Sequence, residues 1–535
     1  MAEELAFARK ASGLVRGLSM RDCLGMGIAF IAPLYSIWFI EQVGLGLYPR
    51  ANVPIAILIS VVTVGWAAPV VWGILGSTMP RSGGEYVYNS RIIHPAIAMG
   101  ASFAMIAAGF YWAIFNASMF ASPSLAMLGQ YMGWTGFADY VGTNAGAFTL
   151  SVIAMLGGLL LVIFGMNVFH KLAWIAIGVM CGGVAILDIA LTFTSKADFI
   201  SNWNAQAAEH GSLTYDAFLA AAGTAAGGAM PTSWTWSDTL GITAGVYMIF
   251  VWTFALNYIG GEVKRPDKVM IKAHILSLGI PVALCLWAFL ALGRIMDFAF
   301  LRAAAFQDFN GSVEGYALPY PPHVMSLAYV ASGASPIIAL VASLTFAITM
   351  VWLCGVELIV IQRGMFAWGM DRMGPKWFTS INARTASPIG MYLFAAAISV
   401  FLIAGYWYLF PSVLTGVVAG GMQVCSGILL TAIAGIVLVY RKKVKHIWDS
   451  SPFHEWKFLG IPVLAIGGIV YLGYTIALLW FAFGDPNTRD ITGRKAIILV
   501  AVWVAGMLWY LLWKLVSRRQ GVDVAKLTYS ELPPE

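Results

Sequence analysis

Three carboxylates stand inside long apolar stretches of the sequence: Glu41, Asp188 and Glu357. A charge in hydrocarbon is costly, so such a group either binds a cation or passes a proton, or sits uncharged at a helix contact. Glu357 lies deepest in its stretch, ahead of Arg363, and is the first candidate for coupling a proton or cation; Asp188, late in its own stretch, is the second. Other chemistries lack their residues. His94, His170, His210, His274, His323, His446 and His454 are scattered, and there is no HExxH or GxSxG pattern for a metallohydrolase or serine hydrolase. Cys23, Cys181, Cys285, Cys354 and Cys425 form no CxxC pair, which argues against a metal centre or a disulfide framework. No enzyme and no cofactor is expected beyond a coupling ion, proton or sodium.

Backbone chemistry is the second resource. In LGMGIAFIAPLYSIWF, Pro33 has no N–H and its ring clashes with the carbonyl four residues back, so a helix there kinks or breaks around Ile31, Ala32 and Pro33. A break frees backbone groups that hydrocarbon tolerates only around a cavity, and the restarted half-helix turns its positive end toward that cavity, where a carboxylate suits it. In GITAGVYMIFVWTFALNYIGGEVKRPDK, the residues Trp252, Thr253, Asn257 and Gly260-Gly261 interrupt an apolar helix. They make either a polar, aromatic-lined patch or the hydrogen bonds that join membrane helices. Tyr111, Asn116, Gln423 and Ser426 are the remaining polar groups at mid-depth.

The elements that must position these groups are membrane helices. The chain of 535 residues is 60% hydrophobic and 10% charged, against about 25% charged in soluble domains. At about 20 apolar residues per span, about twelve stretches qualify: 22-45, 53-78, 96-130, 146-166, 171-194, 241-262, 269-295, 336-363, 388-410, 412-440, 460-483 and 495-516. Their length and internal Gly and Pro exclude a β-barrel. With the N-terminus inside, 24 of the 31 Lys and Arg fall on one side, from Arg9 and Lys10 to Lys526, which makes that side and both termini cytoplasmic. The net charge of +6 is thereby a topology signal, and no nucleic-acid partner is implied. The first apolar run is read as a retained span, since no cleavage site follows it. The long segments 196-240 and 296-335 are expected to form short surface helices and lids on the outside, and 364-387 an interfacial helix.

Three sequence motifs carry a family resemblance. Met79-Pro80-Arg81-Ser82-Gly83-Gly84-Glu85-Tyr86-Val87-Tyr88 is similar to the Pro-x-(Ser/Ala)-Gly-Gly-x-Tyr-x-Tyr of the amino acid-polyamine-organocation (APC) superfamily of permeases. Gly261-Glu262-Val263-Lys264-Arg265-Pro266 resembles its Glu-Val-Lys-Asn-Pro, and Arg363-Gly364-Met365-Phe366-Ala367 with Asp371-Arg372-Met373-Gly374-Pro375 resembles its Arg-x-x-x-Ala and Asp-x-x-x-Pro. All three come in the family's order and spacing.

The resemblance implies an all-α membrane protein of about twelve helices: a five-plus-five inverted repeat of the leucine-transporter-like fold over 22-440, with broken helices 1 and 6. It also implies that helices 11 and 12, over 460-516, are accessory; the charge count and span bounds add a cytoplasmic N-terminus at 1-21, a cytoplasmic loop at 441-459 and a cytoplasmic tail at 517-535. Substrate is expected at Ile31, Ala32, Pro33 and Leu34, at Phe250, Trp252, Thr253, Phe254 and Asn257, and at the flanking Asn116. The chain departs from the family in having Ile31-Ala32-Pro33 for Gly-(Ser/Thr)-Gly and Trp252-Thr253-Phe254 for Gly-Phe-(Glu/Asp). It also lacks the lysine that some members carry in span 5, since no charge occurs from Ala173 to Ile186. The implied activity is secondary transport, by symport or exchange, of amino acids or related amines by alternating access in a lipid bilayer. Polyamine or other organic cation transport, and solute sensing without transport, are the alternatives.

Overall fold

A computed structural model describes residue 14, residues 16–382, 384–409, 417–484 and 493–521, and residue 524. Arg9, Lys10, Arg489 and Lys526 of the charge count, the start of the tenth predicted span, most of the C-terminal tail and the side chain of Gln423 lie outside the described residues.

Among the described residues ten helices are long and apolar enough to cross a membrane, and twelve spans result if each of two bent pairs counts as one. Span 1 is Met20–Leu45, span 2 Val53–Thr78, span 3 Pro95–Tyr131, span 4 Asn144–Ile163 and span 5 Met166–Phe193. Span 7 is Pro266–Ile295, span 8 Pro336–Met370, span 9 Ile389–Tyr408, span 11 Val463–Trp480 and span 12 Lys495–Arg519. Span 6 joins Trp236–Tyr247 to Ile249–Tyr258 with a 43° bend, and span 10 is the helix Val417–Tyr440, followed by a sharp turn into a short helix.

Local signals fix where the spans begin. Ser19 accepts from the Asp22 amide while the Asp22 carboxylate accepts from the Ser19 amide at 2.8 Å, a capping box that starts span 1. Pro95 sits in the first turn of span 3, and the His94 ring accepts from the Ala96 amide at 3.2 Å. Outward-facing Ile175, Phe193, Leu290, Phe401, Leu508 and Leu512 remain exposed, as a lipid-facing surface requires.

Two groups of helices form the interior. Span 8 packs on spans 3 and 4, and span 4 on span 9; span 7 packs on spans 1 and 2. Gly158 of span 4 lets that helix close on Cys354 and Gly355 of span 8, where a methyl group would come within 2.7 Å. Span 5 packs on spans 1, 7 and 8, span 10 on span 3, span 11 on spans 2 and 10, and span 12 on span 3.

The segments 196-240 and 296-335 contain short helices as expected, including Lys196–His210, Tyr215–Ala225, Phe298–Asn310 and Val324–Ala331. An aromatic cluster joins them, with Tyr215 stacked on Phe300 at 3.9 Å and Trp203 meeting the same ring edge-on. The 364-387 segment differs from expectation. It is no interfacial helix, because span 8 continues unbroken to Met370 with Trp368 stacked on Phe103 at 4.7 Å, and among the segment's described residues after that only Lys376–Thr379 is helical, as a 3-10 turn. Buried aromatic packing there outcompetes an orientation along the membrane surface.

Candidate functional site

Span 1 breaks at Ala32. Its φ of 54° and ψ of 75° are left-handed, a conformation that costs a residue with a Cβ, and it ends the helix at Ile31 while Pro33 starts the next at its first position. Ser36 partly repairs the break, its hydroxyl donating to the Ile31 carbonyl at 3.0 Å and its amide to the Ala32 carbonyl at 3.1 Å. No side chain caps the second half-helix, so its first-turn amides face the gap with their positive end. Ile31, Ala32, Pro33 and Leu34 are all buried.

Span 6 supplies the facing element. It tightens to a 3-10 turn at Trp252–Phe254, where Thr253 Oγ1 donates back to the Phe250 carbonyl at 3.2 Å. This turn packs on the first half of span 1. Trp252 meets Trp112 of span 3 edge-on at 5.7 Å and lies 5.7 Å from Phe254, while Tyr111 and Phe115 continue the aromatic wall. On the other side of the break, Trp38 lies 5.8 Å from both Tyr35 and Phe346. Several polar atoms in these walls are buried with no hydrogen-bond partner among the described residues: Tyr35 Oη, Trp38 Nε1, Trp112 Nε1 and Asn116 Oδ1. Unsatisfied groups in such a place cost free energy unless a ligand completes them.

The two acidic candidates flank the same break. Glu357 of span 8 is buried close to Gly109 and is an electrostatic neighbour of Tyr35 and Tyr258. Among the described residues no basic side chain pairs with it. Asp188 of span 5 is buried beside Cys285, whose thiol points at the Pro33 carbonyl from 4.0 Å. Asn257 is placed differently. Its amide donates to the Trp72 carbonyl and the Tyr88 hydroxyl, each at 2.8 Å, and accepts from His274 Nε2 at 2.6 Å, so protein groups occupy both of its ends.

The three motifs meet at one end of the bundle, beneath the break. The Arg363 guanidinium of the third motif pairs with Glu262 of the second at 2.6 Å, both buried. Asp371 holds Arg91 through two bonds of 2.7 Å. Gly84 of the first motif has a φ of +57°, and a Cβ there would lie 2.6 Å from the Tyr258 ring. The amides of Gly17 and Leu18 both donate to the Glu262 carbonyl at 3.0 Å.

A family model described as amino acid permease matches residues 17–506. The chain belongs to the amino acid permease family, within the APC superfamily. The match takes in both breaks, all three motifs and the first half of span 12. No curated protein matches the chain. The permease is thus a multi-pass membrane transporter of amino acids or related solutes. Sequence reasoning missed Tyr35, Trp38 and Trp112, whose only signal was nearness to Pro33 or Asn116. It also missed the pairing of Glu262 with Arg363, since the quoted motifs contain both residues but nothing in their spacing joins them.

Proposed function

We propose that this permease is a secondary transporter that moves amino acids or related amines by alternating access, with substrate held between the breaks of spans 1 and 6. One observation carries the reading: the left-handed break at Ala32 opens onto the Trp252–Phe254 turn within a buried aromatic enclosure that has unsatisfied polar atoms. A substrate carboxylate meets the uncapped half-helix, and its ammonium meets the aromatic faces and Glu357. Glu357 is the coupling group, with Asp188 the second acid at the break, and the coupling ion is a proton or sodium. Discontinuous helices facing each other at mid-depth are the usual site of such transporters.

The architecture behind this reading is a five-plus-five inverted repeat over 22-440 with spans 11 and 12 as accessory helices. The packing of span 5 on span 8 has its counterpart, five spans on, in span 10 on span 3, and span 4 on span 8 has its counterpart in span 9 on span 3. The basic, motif-bearing end faces the cytoplasm, with both termini, by the excess of Lys and Arg on that side.

Purified permease in proteoliposomes is expected to accumulate labelled amino acids or amines when proton and sodium gradients are imposed in turn, or to exchange them for internal solute. Trp252→Ala is expected to weaken apparent affinity about tenfold or more, the scale of losing a buried aromatic contact. Glu357→Gln is expected to abolish ion dependence while sparing binding. Failure of every gradient and every counter-solute to move any amino acid or amine would overturn the transporter reading.

A further inference from the structure

Glu85 stands at one of the three variable positions of the first motif, and neither the break nor the substrate enclosure uses it. We propose that Tyr258 and Glu85 carry the proton released by Glu357 to the motif-bearing end of the permease. The proposal rests on the reading of Glu357 as the coupling group.

The Tyr258 hydroxyl has two carboxyl neighbours. It donates to Glu85 Oε2 at 2.6 Å, and Glu357 is within electrostatic reach of it. A tyrosine between two carboxyl groups can accept a proton on its oxygen from one as it gives its own to the other. Glu357 and Tyr258 share no hydrogen bond among the described residues, so the first hop follows a rotation of the Glu357 side chain toward the Tyr258 hydroxyl: the Glu357 O–H bond breaks, that proton joins the Tyr258 oxygen, and the former Tyr258 proton moves to Glu85 Oε2. Glu357 ends as carboxylate, Glu85 as carboxylic acid, and the tyrosine is unchanged. One negative charge has crossed from Glu85 to Glu357, and Glu85, fully buried while the motif end is closed, gives its proton to water when that end opens.

The surroundings of Glu85 suit a group that both takes and releases. Burial pushes its carboxyl up to about 7, while the bond from Tyr258 pulls the other way. A carrier works best when its affinity for the proton lies near the operating pH. From span 3, Ser102 reaches it; from span 10, Gly427 packs on its side chain. The nearby cations are engaged elsewhere: on its own helix, Glu85–Ile92, Arg91 is held by Asp371, and on span 8, Arg363 is held by Glu262. The ring of Tyr258 is fixed between Gly84 and Gly364, where Cβ atoms would lie 2.6 Å and 3.6 Å from it. The motif's second glycine therefore has a physical role in setting the geometry of the relay.

The test uses full-length permease in proteoliposomes containing a trapped pH dye, with a mixture of labelled protein amino acids and short alkyl diamines as probe. Glu85→Gln and, separately, the isosteric Tyr258→Phe are expected to cut solute-driven proton flux about tenfold or more, with counterflow of the label within about twofold of the unmodified permease. Glu85→Asp is expected to restore part of the flux. Unchanged proton flux in both Glu85→Gln and Tyr258→Phe, when the unmodified permease moves protons, overturns the relay and leaves the coupling role of Glu357 standing. Solute transport with no proton movement in the unmodified permease overturns the coupling reading itself.

Discussion

Glu262 and Arg363 show what a single buried residue can carry. Both side chains are nearly free of solvent and meet at 2.6 Å, joining the end of span 6 to span 8. Removing one partner leaves the other charge buried and uncompensated, which costs about 3–5 kcal/mol, whereas replacing both costs less than the sum. Arg363→Met and Glu262→Gln are each expected to lower the melting temperature of the detergent-solubilised permease, with the double variant melting above the level that additivity gives. Additive losses would show that the pair is not coupled. At this scale the sequence was half legible. Residue types identified Pro33, Glu357 and the motif residues, because proline chemistry and the cost of buried charge act locally. The partner of Arg363 and the aromatic wall around Trp252 depend on which spans touch, and that is decided by contacts a hundred or more residues apart.

At the scale of elements, the helix Phe298–Asn310 lies against the last turn of span 1, Ile40–Leu45, at the end opposite the motifs. Gln42 donates to the Asp308 carbonyl, Glu41 accepts from the Val324 amide, and the Asp308 and Glu41 carboxyl groups are electrostatic neighbours. Burial pushes Asp308 up to about 7 from an ordinary 3.8. A carboxyl whose folded value is raised binds more protons folded than unfolded between those limits. Its contribution is therefore fully present below the unfolded value and is lost as pH rises through about 7. The slope is at most about 1.4 kcal/mol per pH unit for one proton. Stability of the permease is expected to fall between about pH 5 and pH 7.5, and Asp308→Asn is expected to flatten that fall; an equal slope in the variant would assign it to another group. Hydropathy made the spans legible and the loop composition made these surface helices legible. The extension of span 8 to Met370 was hidden, because RGMFAWGM is amphipathic enough for a membrane surface until Phe103 supplies a stacking partner.

At the scale of the whole molecule, the motif-bearing end is closed. Leu18 and Val263 form a parallel bridge, the Lys264 amide donates to the Leu18 carbonyl at 2.8 Å, and the Glu262–Arg363 pair ties this knot to span 8. A transporter that works by alternating access must open this end in part of its cycle, and that opening separates Glu262 from Arg363 and uncovers their neighbours. Val263 is fully buried in the closed arrangement and adjoins the pair, so a thiol placed there reports on opening. In a background where the five native cysteines are replaced, Val263→Cys is expected to react slowly with a membrane-impermeant maleimide, and faster once Arg363→Gln weakens the tie. If the basic end is cytoplasmic, the reagent added to intact cells leaves this thiol unlabelled and reaches it only after permeabilisation. Labelling in intact cells would invert the assigned orientation. A rate indifferent to Arg363→Gln would mean that the buried pair does not hold this end shut, and the closing force would then have to come from the apolar packing of Leu18 against Val263.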